Sequence, residues 1–416
     1  MEFTLSRTVE APSFDRYSDA VVSRVTVSSF CYRTALFLYC ITYYCGAVNT
    51  DFIFGIPIGT TSRVLQGLGA GFLVISIITC YASSKLNLMA TILGCAVAGM
   101  SLYFTKTTTI SWLLLLAIAS VGCRHEDTYS TILIAVLSVF ILVILLNITG
   151  HIKDVTMTRA NSMAIRRSMG FAHPNNFGQM VLIAYASYCV LCRNGKHKAQ
   201  RVVLAILACA IVIYISDSRS AALGIGAMCL LSIVRDAWNL RHLRVASLQK
   251  LCEFMIVACA VVSVALLLMY MCGNQLALRI DSLITGRIYY EAYFWERYFP
   301  SLFGVAFSNA QTLLSSTGTY YIDAPVIIDN SYIRLFVQYG IVPAAVIIVL
   351  TLVGIHRCDE YQYVMPLFGL IVYGVIGLFE NGLIYAPIDF FIVPILGLAY
   401  AERKSLHNSA FDRNLT

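Results

Sequence analysis

Residues 129–148, YSTILIAVLSVFILVILLNI, run for 20 positions without a charge. At about 1.5 Å per residue, a helix of that length spans the ~30 Å hydrocarbon core of a bilayer. Reading outward from it gives eleven further apolar runs: 27–48, 64–82, 87–105, 108–122, 176–192, 202–216, 219–234, 251–272, 331–354, 363–382 and 386–401. Composition agrees with that count. Of the 416 residues, 59% are hydrophobic and 12% charged, and the mean hydropathy is +0.76. A soluble domain carries about 25% charged residues, so this chain cannot cover a water-facing surface. A soluble globular protein, a disordered chain and a disulfide scaffold are thereby excluded. The fold class expected is an all-α polytopic membrane protein with about 12 transmembrane helices. It forms a single transmembrane domain over 1–416, with a tail at 1–26, a large loop at 273–330 and a second tail at 402–416.

The net charge of +7 reads as basic residues that hold loops on the cytoplasmic side, not as a nucleic-acid surface. Most of the 14 Cys lie inside apolar runs, among them Cys40, Cys95 and Cys209, where Cys behaves as a small hydrophobe. No Cys/His cluster has zinc spacing, so no metal and no cofactor are expected. Met1–Arg24 has no short apolar core before a small-residue cleavage site, which argues against a removed signal peptide. The start reads as a cytoplasmic tail.

With the N-terminus inside and twelve alternating spans, eighteen of the 29 Lys and Arg fall on inner segments, including Arg33, Lys85, Arg124, Arg193, Lys196, Arg241, Arg244 and Arg357. Both termini are then cytoplasmic. The other eleven lie outside, and most gather in 149–175, in the turn around Ser216–Ser220 and in 273–334. Positive charge on the outer face opposes the topology rule, so an anion site is the reading preferred for it. Lys153 and Arg159 read as solvated loop charge. So do the inner pairs Glu126-Asp127 and Asp359-Glu360.

Arg166-Arg167 precedes Gly170-Phe171-Ala172-His173-Pro174-Asn175-Asn176-Phe177-Gly178. Pro174 keeps His173 out of helical geometry, and Asn175 or Asn176 can cap the helix that follows. A helix N-terminus beside two Arg suits an anion, while His173 reads equally as a residue that caps or packs the helix start. Ser216-Asp217-Ser218-Arg219-Ser220-Ala221 forms a tight turn. Arg219 at a membrane helix is a functional candidate, or else an interfacial Arg paired with Asp217. In the long loop, Thr285-Gly286-Arg287 leads into IYYEAYFWERYFP, residues 288–300, an amphipathic helix at the interface. Its aromatics either stack on sugars or anchor it at headgroup level. Asp329, before Asn330-Ser331-Tyr332, is a candidate general base or an N-cap. Asp281 and Asp323 are further acidic residues of the loop, without a supporting spacing. Arg suits phosphate because its fork of donors binds bidentately and stays charged. A polyprenyl-pyrophosphate-linked glycan fits such a surface.

At these residues the chain resembles the O-antigen polymerase and O-antigen ligase superfamily of bacterial envelope enzymes. The Gly170–Gly178 stretch with His173-Pro174-Asn175 looks like the polymerases of exopolysaccharide and capsule clusters. Ser218-Arg219-Ser220-Ala221 is similar to the family's Arg-bearing turn. Thr285-Gly286-Arg287 is similar to the Arg near the start of its large outer loop. In the ligases a His followed by Asn, Ser or Gln precedes a Gly by nine intervening residues. Here Asp329 takes the His position, Asn330 follows and Gly340 closes the pattern. The resemblance covers about 160–345 and the helix count. It implies a metal-independent, inverting glycosyltransferase of the bacterial plasma membrane. Arg219 and Arg287 would hold the donor pyrophosphate, and Asp329 would orient or deprotonate the acceptor hydroxyl. Arg166, Arg167, His173, Asn175, Asn330 and Tyr332 would bind substrate. The departure from His to Asp favours polymerase over ligase. The partners implied are lipid-linked oligosaccharide donor and acceptor and membrane lipids, with a flippase and a chain-length regulator as candidates. The rival readings are a ligase that moves finished glycan and a transporter of lipid-linked oligosaccharide without chemistry.

Overall fold

A computed structural model describes residues 15–402 except 54, 83–85, 160–161, 193–196, 238–244, 285, 308–327 and 359–362. The readings of Lys85, Arg193, Lys196, Arg241, Arg244, Thr285, Asp323 and Asp359-Glu360, and of much of both tails, lie outside the described residues. The described chain is all-α apart from two small hairpins. Its helices are α1 (Asp15–Cys45), α2 (Ile58–Ala82), α3 (Leu88–Thr105), α4 (Thr109–Ser120), α5 (His125–Ile148), α6 (Pro174–Leu191), α7 (Lys198–Ile211), α8 (Arg219–Ala237), α9 (Val245–Met271), α10 (Gln275–Leu283), α11 (Arg287–Tyr298), α12 (Ser331–Arg334), α13 (Ile341–His356), α14 (Val364–Ile376) and α15 (Ile392–Tyr400). Short π-helical turns, Val212–Ser216 and Leu335–Tyr339, extend α7 and α12.

Helix occupies much of each of the twelve predicted ranges, but twelve crossings are not what the structure shows. Among the described residues five helices are long and apolar enough to cross a membrane: α2, α3, α5, α7 with its π extension, and α9. By helix length and hydropathy this is a multi-pass membrane protein. Glycine and proline explain where the predicted ranges fall short. The run 331–354 breaks at Gly340, whose φ of +93° is open to glycine. A side chain there would run into the backbone of Phe303 and Gly304. The segment 301–305 is hydrogen-bonded to this break through Ile341 N to Ser301 O at 2.9 Å and Val305 N to Gln338 O at 3.0 Å. The runs 363–382 and 386–401 stop at Ile376 and resume at Ile392, across a non-helical stretch that contains Gly377, Gly382 and Pro387.

Consecutive long helices run in opposite directions. At one end of the bundle Val48, after α1, bridges to Phe171, before α6. At the other, Leu86 bridges to Ala401, and Ser29 near the start of α1 donates to Asp127 at the start of α5. A shared aromatic and aliphatic core joins them, with Tyr39 stacked on Trp112 at 4.5 Å. α6 and α8 approach closely because Gly178 faces Ser218, whose Cβ would lie 2.6 Å from a Cβ at that position. That close approach draws the starts of both helices together at the Val48–Phe171 end.

Candidate functional site

The connection 149–175 is not an unstructured loop. Thr156–Arg159 (β3) pairs antiparallel with Ser162–Arg167 (β4), following the smaller hairpin of Phe52–Ile53 (β1) and Ile56–Pro57 (β2). Successive strand residues point to opposite faces, and this separates the two arginines. Arg167 turns outward to Asp154, Nε to Oδ2 at 2.8 Å, and its side chain is 61% exposed. Asp154 also accepts from Met169 N at 2.7 Å and Ser168 N at 3.0 Å, which ties off the hairpin base. Arg166 turns toward the bundle, where its Nε donates to Ser216 O at 2.9 Å and its Nη2 to Asn175 Oδ1. The cap of α6 falls to His173, the alternative reading of that residue, and not to Asn175 or Asn176. His173 itself is the N-cap: its Nδ1 accepts from Asn175 N at 3.0 Å, with Pro174 at the first helical position. Asn175 is occupied by Arg166 instead.

The turn between α7 and α8 passes through Asp217 at φ +44°. Arg219 opens α8, faces outward with its side chain 68% exposed and pairs with Asp217 at 3.5 Å. Its neighbour Ser220 faces inward and donates to Glu380 Oε1 at 2.8 Å.

In the large loop, Asp281 at the end of α10 accepts from the amides of Ile288 at 2.8 Å and Tyr289 at 3.1 Å. That caps α11 and fixes its start. Ile288, Glu291, Ala292 and Phe294 form its buried stripe, at the spacing of one helix face. Ala292 and Phe294 pack with Leu267, Ile328, Ile333 and Val337. Seating α11 this way turns Arg287 inward between two carboxylates, with Nε 3.6 Å from Asp329 Oδ2 and Nη2 3.6 Å from Glu380 Oε1. These separations are longer than hydrogen bonds. The remaining nitrogen, Nη1, is buried without a hydrogen-bond partner among the described residues. The cap of α12 is Asn330, which accepts from the amides of Tyr332 at 3.0 Å and Ile333 at 3.2 Å and donates to Ser263 Oγ at 3.0 Å. Asp329 is therefore free of capping and faces Arg287. Tyr332 is buried, and its hydroxyl donates to Gly374 O at 2.9 Å. Ser331 Oγ donates to Glu380 O at 2.6 Å and accepts from Leu383 N at 3.1 Å, which holds the non-helical stretch that delivers Glu380.

The electrostatics follow from this packing. Burial raises Asp329 above the ordinary carboxylate range, against the opposing pull of Arg287 and Arg334, so it is a stronger base than an exposed Asp. Burial first, then the charges of Arg166 and Arg287, lowers His173, which keeps its ring neutral and able to cap. Burial likewise pushes Glu291 up to about 8, reinforced by Asp329 and Asp281 and opposed by Asn330 and Arg287. Glu291 is thus a neutral acid at pH 7. Because its folded pKa is raised, its contribution to stability is full below about 4.5 and is lost as pH rises through about 8. Glu291→Gln is expected to flatten the loss of thermal stability between about pH 4.5 and about pH 8. An unchanged pH profile of melting would contradict the assignment.

The structure brings together Arg287 and Asp329, with Arg166, His173 and Asn175 near them, and leaves Arg219 facing outward, paired with Asp217. It turns Arg167 away and spends the polar atoms of Asn330 and Tyr332 on the fold. The sequence reading missed Glu380, Ser220, Glu291 and Arg334. Glu380 carried a signal: a lone carboxylate inside an apolar run is expensive in a membrane, the same rule that singled out Arg219. Among the described residues no group of three or more His, Cys, Asp and Glu is placed to hold a metal ion. No protein-family model, curated protein or solved structure matches the chain.

Proposed function

We propose that the protein is a polysaccharide polymerase. It transfers a growing glycan from polyprenyl pyrophosphate to the non-reducing end of a lipid-linked repeat unit at the outer face of the bacterial plasma membrane. One observation carries the reading: Arg287 lies between Asp329 and Glu380 with a buried nitrogen unpartnered among the described residues, next to the neutral His173 and the inward Arg166. A guanidinium held 3.6 Å from each of two carboxylates exchanges readily onto a pyrophosphate. In this reading Asp329 accepts the proton of the acceptor hydroxyl as that oxygen attacks the anomeric carbon. The bond to the pyrophosphate oxygen breaks with inversion, and Arg287, with Arg166 and Arg219, stabilises the departing charge. His173, Asn175, Asn330 and Tyr332 hold the walls that carry these groups. The resemblance of these motifs to the O-antigen polymerase and ligase superfamily supports the same chemistry, without metal or cofactor.

A ligase that moves finished glycan to another acceptor would use the same donor. An Asp at position 329, where the ligases carry His, favours polymerase over it. Cells lacking the protein separate the two. A missing polymerase leaves single lipid-linked repeat units, whereas long chains accumulating on the carrier lipid would identify a ligase. A transporter needs no base at Asp329 and would tolerate loss of that carboxylate, whereas the polymerase reading would not.

A further inference from the structure

We propose that Arg334 is the acceptor-side contact of this site, and that the acceptor repeat unit presents a carboxylate, as on a uronic acid, beside the hydroxyl that Asp329 takes. The proposal rests on the polymerase reading and names its substrate class. Asp329 and Arg334 stand at the two ends of α12, Asp329 just before the cap Asn330 and Arg334 as the last helical residue. Arg334 Nε donates to Gln338 Oε1 at 2.6 Å, and the guanidinium lies 5.4 Å over the Tyr385 ring. Tyr385 in turn lies against Tyr43, ring centroids 5.4 Å apart. These contacts fix the plane of the fork and leave its two terminal nitrogens without a hydrogen-bond partner among the described residues.

Charge is divided unequally about Asp329. Arg287 pairs with Asp329 and, with Arg166, acts on His173, a group suited to the multiple charges of a pyrophosphate. Arg334 is a second cation acting on Asp329, a single guanidinium backed by tyrosine rings. A single planar fork matches a single carboxylate bidentately, and aromatic faces suit the apolar side of a sugar ring. A neutral sugar would desolvate Arg334 and leave its charge incompletely paired, at a cost in binding. Both cations act on Asp329, so an acceptor carboxylate that neutralises Arg334 also makes Asp329 more basic as the hydroxyl arrives.

Lipid-linked repeat units extracted from cells lacking the protein supply the donor. The same oligosaccharide, released and converted to an alkyl glycoside, supplies an acceptor with no pyrophosphate to lose. It is used untreated or with its carboxyl groups reduced to alcohols. For purified wild-type protein, reduction is expected to raise the acceptor KM about tenfold or more. R334Q is expected to show that raised KM already with untreated acceptor and no further rise on reduction, with donor KM unchanged. R334K, which keeps the charge without the fork, should fall between. Equal KM values for the two acceptors with wild-type protein, or a repeat unit that mass spectrometry shows to lack an acid, would overturn the proposal. So would an R334Q effect confined to donor KM, which would put Arg334 on the pyrophosphate. Absence of any elongation by wild-type protein overturns the polymerase reading itself, and this proposal with it.

Discussion

Arg287→Ala is expected to lower glycan elongation by roughly 10²- to 10³-fold, the usual loss when one preorganised group facing developing charge is removed. The guanidinium is held in place by α11, whose start Asp281 caps and whose Ile288–Phe294 stripe is buried. The substitution therefore removes charge from a position that the backbone still defines. It also leaves Asp329 and Glu380 without the cation between them. Like charges at close range disfavour ionisation, so Asp329 should rise further and the pH optimum move upward. Arg287→Lys keeps a charge but loses the fork, and should recover protein level more fully than activity. Chain length by gel, set against the amount of protein in the membrane, checks both. Long polymer at normal protein level in the Ala variant would remove Arg287 from the mechanism.

Asp329→Asn is expected to lower kcat by about 10²- to 10⁴-fold while donor binding persists. The substitution is nearly isosteric and disturbs no cap, because Asn330 supplies the hydrogen bonds to Tyr332 and Ile333. Its effect should therefore fall on proton transfer, with little change in melting temperature. Single-turnover elongation with bound donor separates these quantities. A transporter would tolerate the change. Unaltered turnover in D329N would make Asp329 an ion-pair partner of Arg287 and nothing more.

The helices were legible because bilayer thickness fixes the length of an apolar run, and YSTILIAVLSVFILVILLNI lies within α5. Twelve full crossings were not, because hydropathy does not register a backbone break. Gly340 and the stretch 377–391 interrupt runs that stay predominantly apolar despite Arg334, Glu380 and Asp389. Arg287 and Asp329 could be chosen by residue type and order, since each stands beside a helix start. Their partner Glu380 could not be placed, because it enters through a non-helical segment that counted as membrane span. Arg166 and Arg167 were inseparable until the register of β3 and β4 placed Met157 opposite Arg166 and Thr156 opposite Arg167. Arg219 illustrates the converse. Its sequence context, with Asp217 two residues earlier, already contained the pairing that the structure shows.

The most direct test of the central claim is elongation by the purified protein of a synthetic polyprenyl-pyrophosphate-linked repeat unit, in chelator and without added metal. The site predicts a ladder of longer lipid-linked glycans with release of one polyprenyl pyrophosphate per step. Repeat units that stay single while they cross the membrane of a reconstituted vesicle would contradict it and identify a transporter.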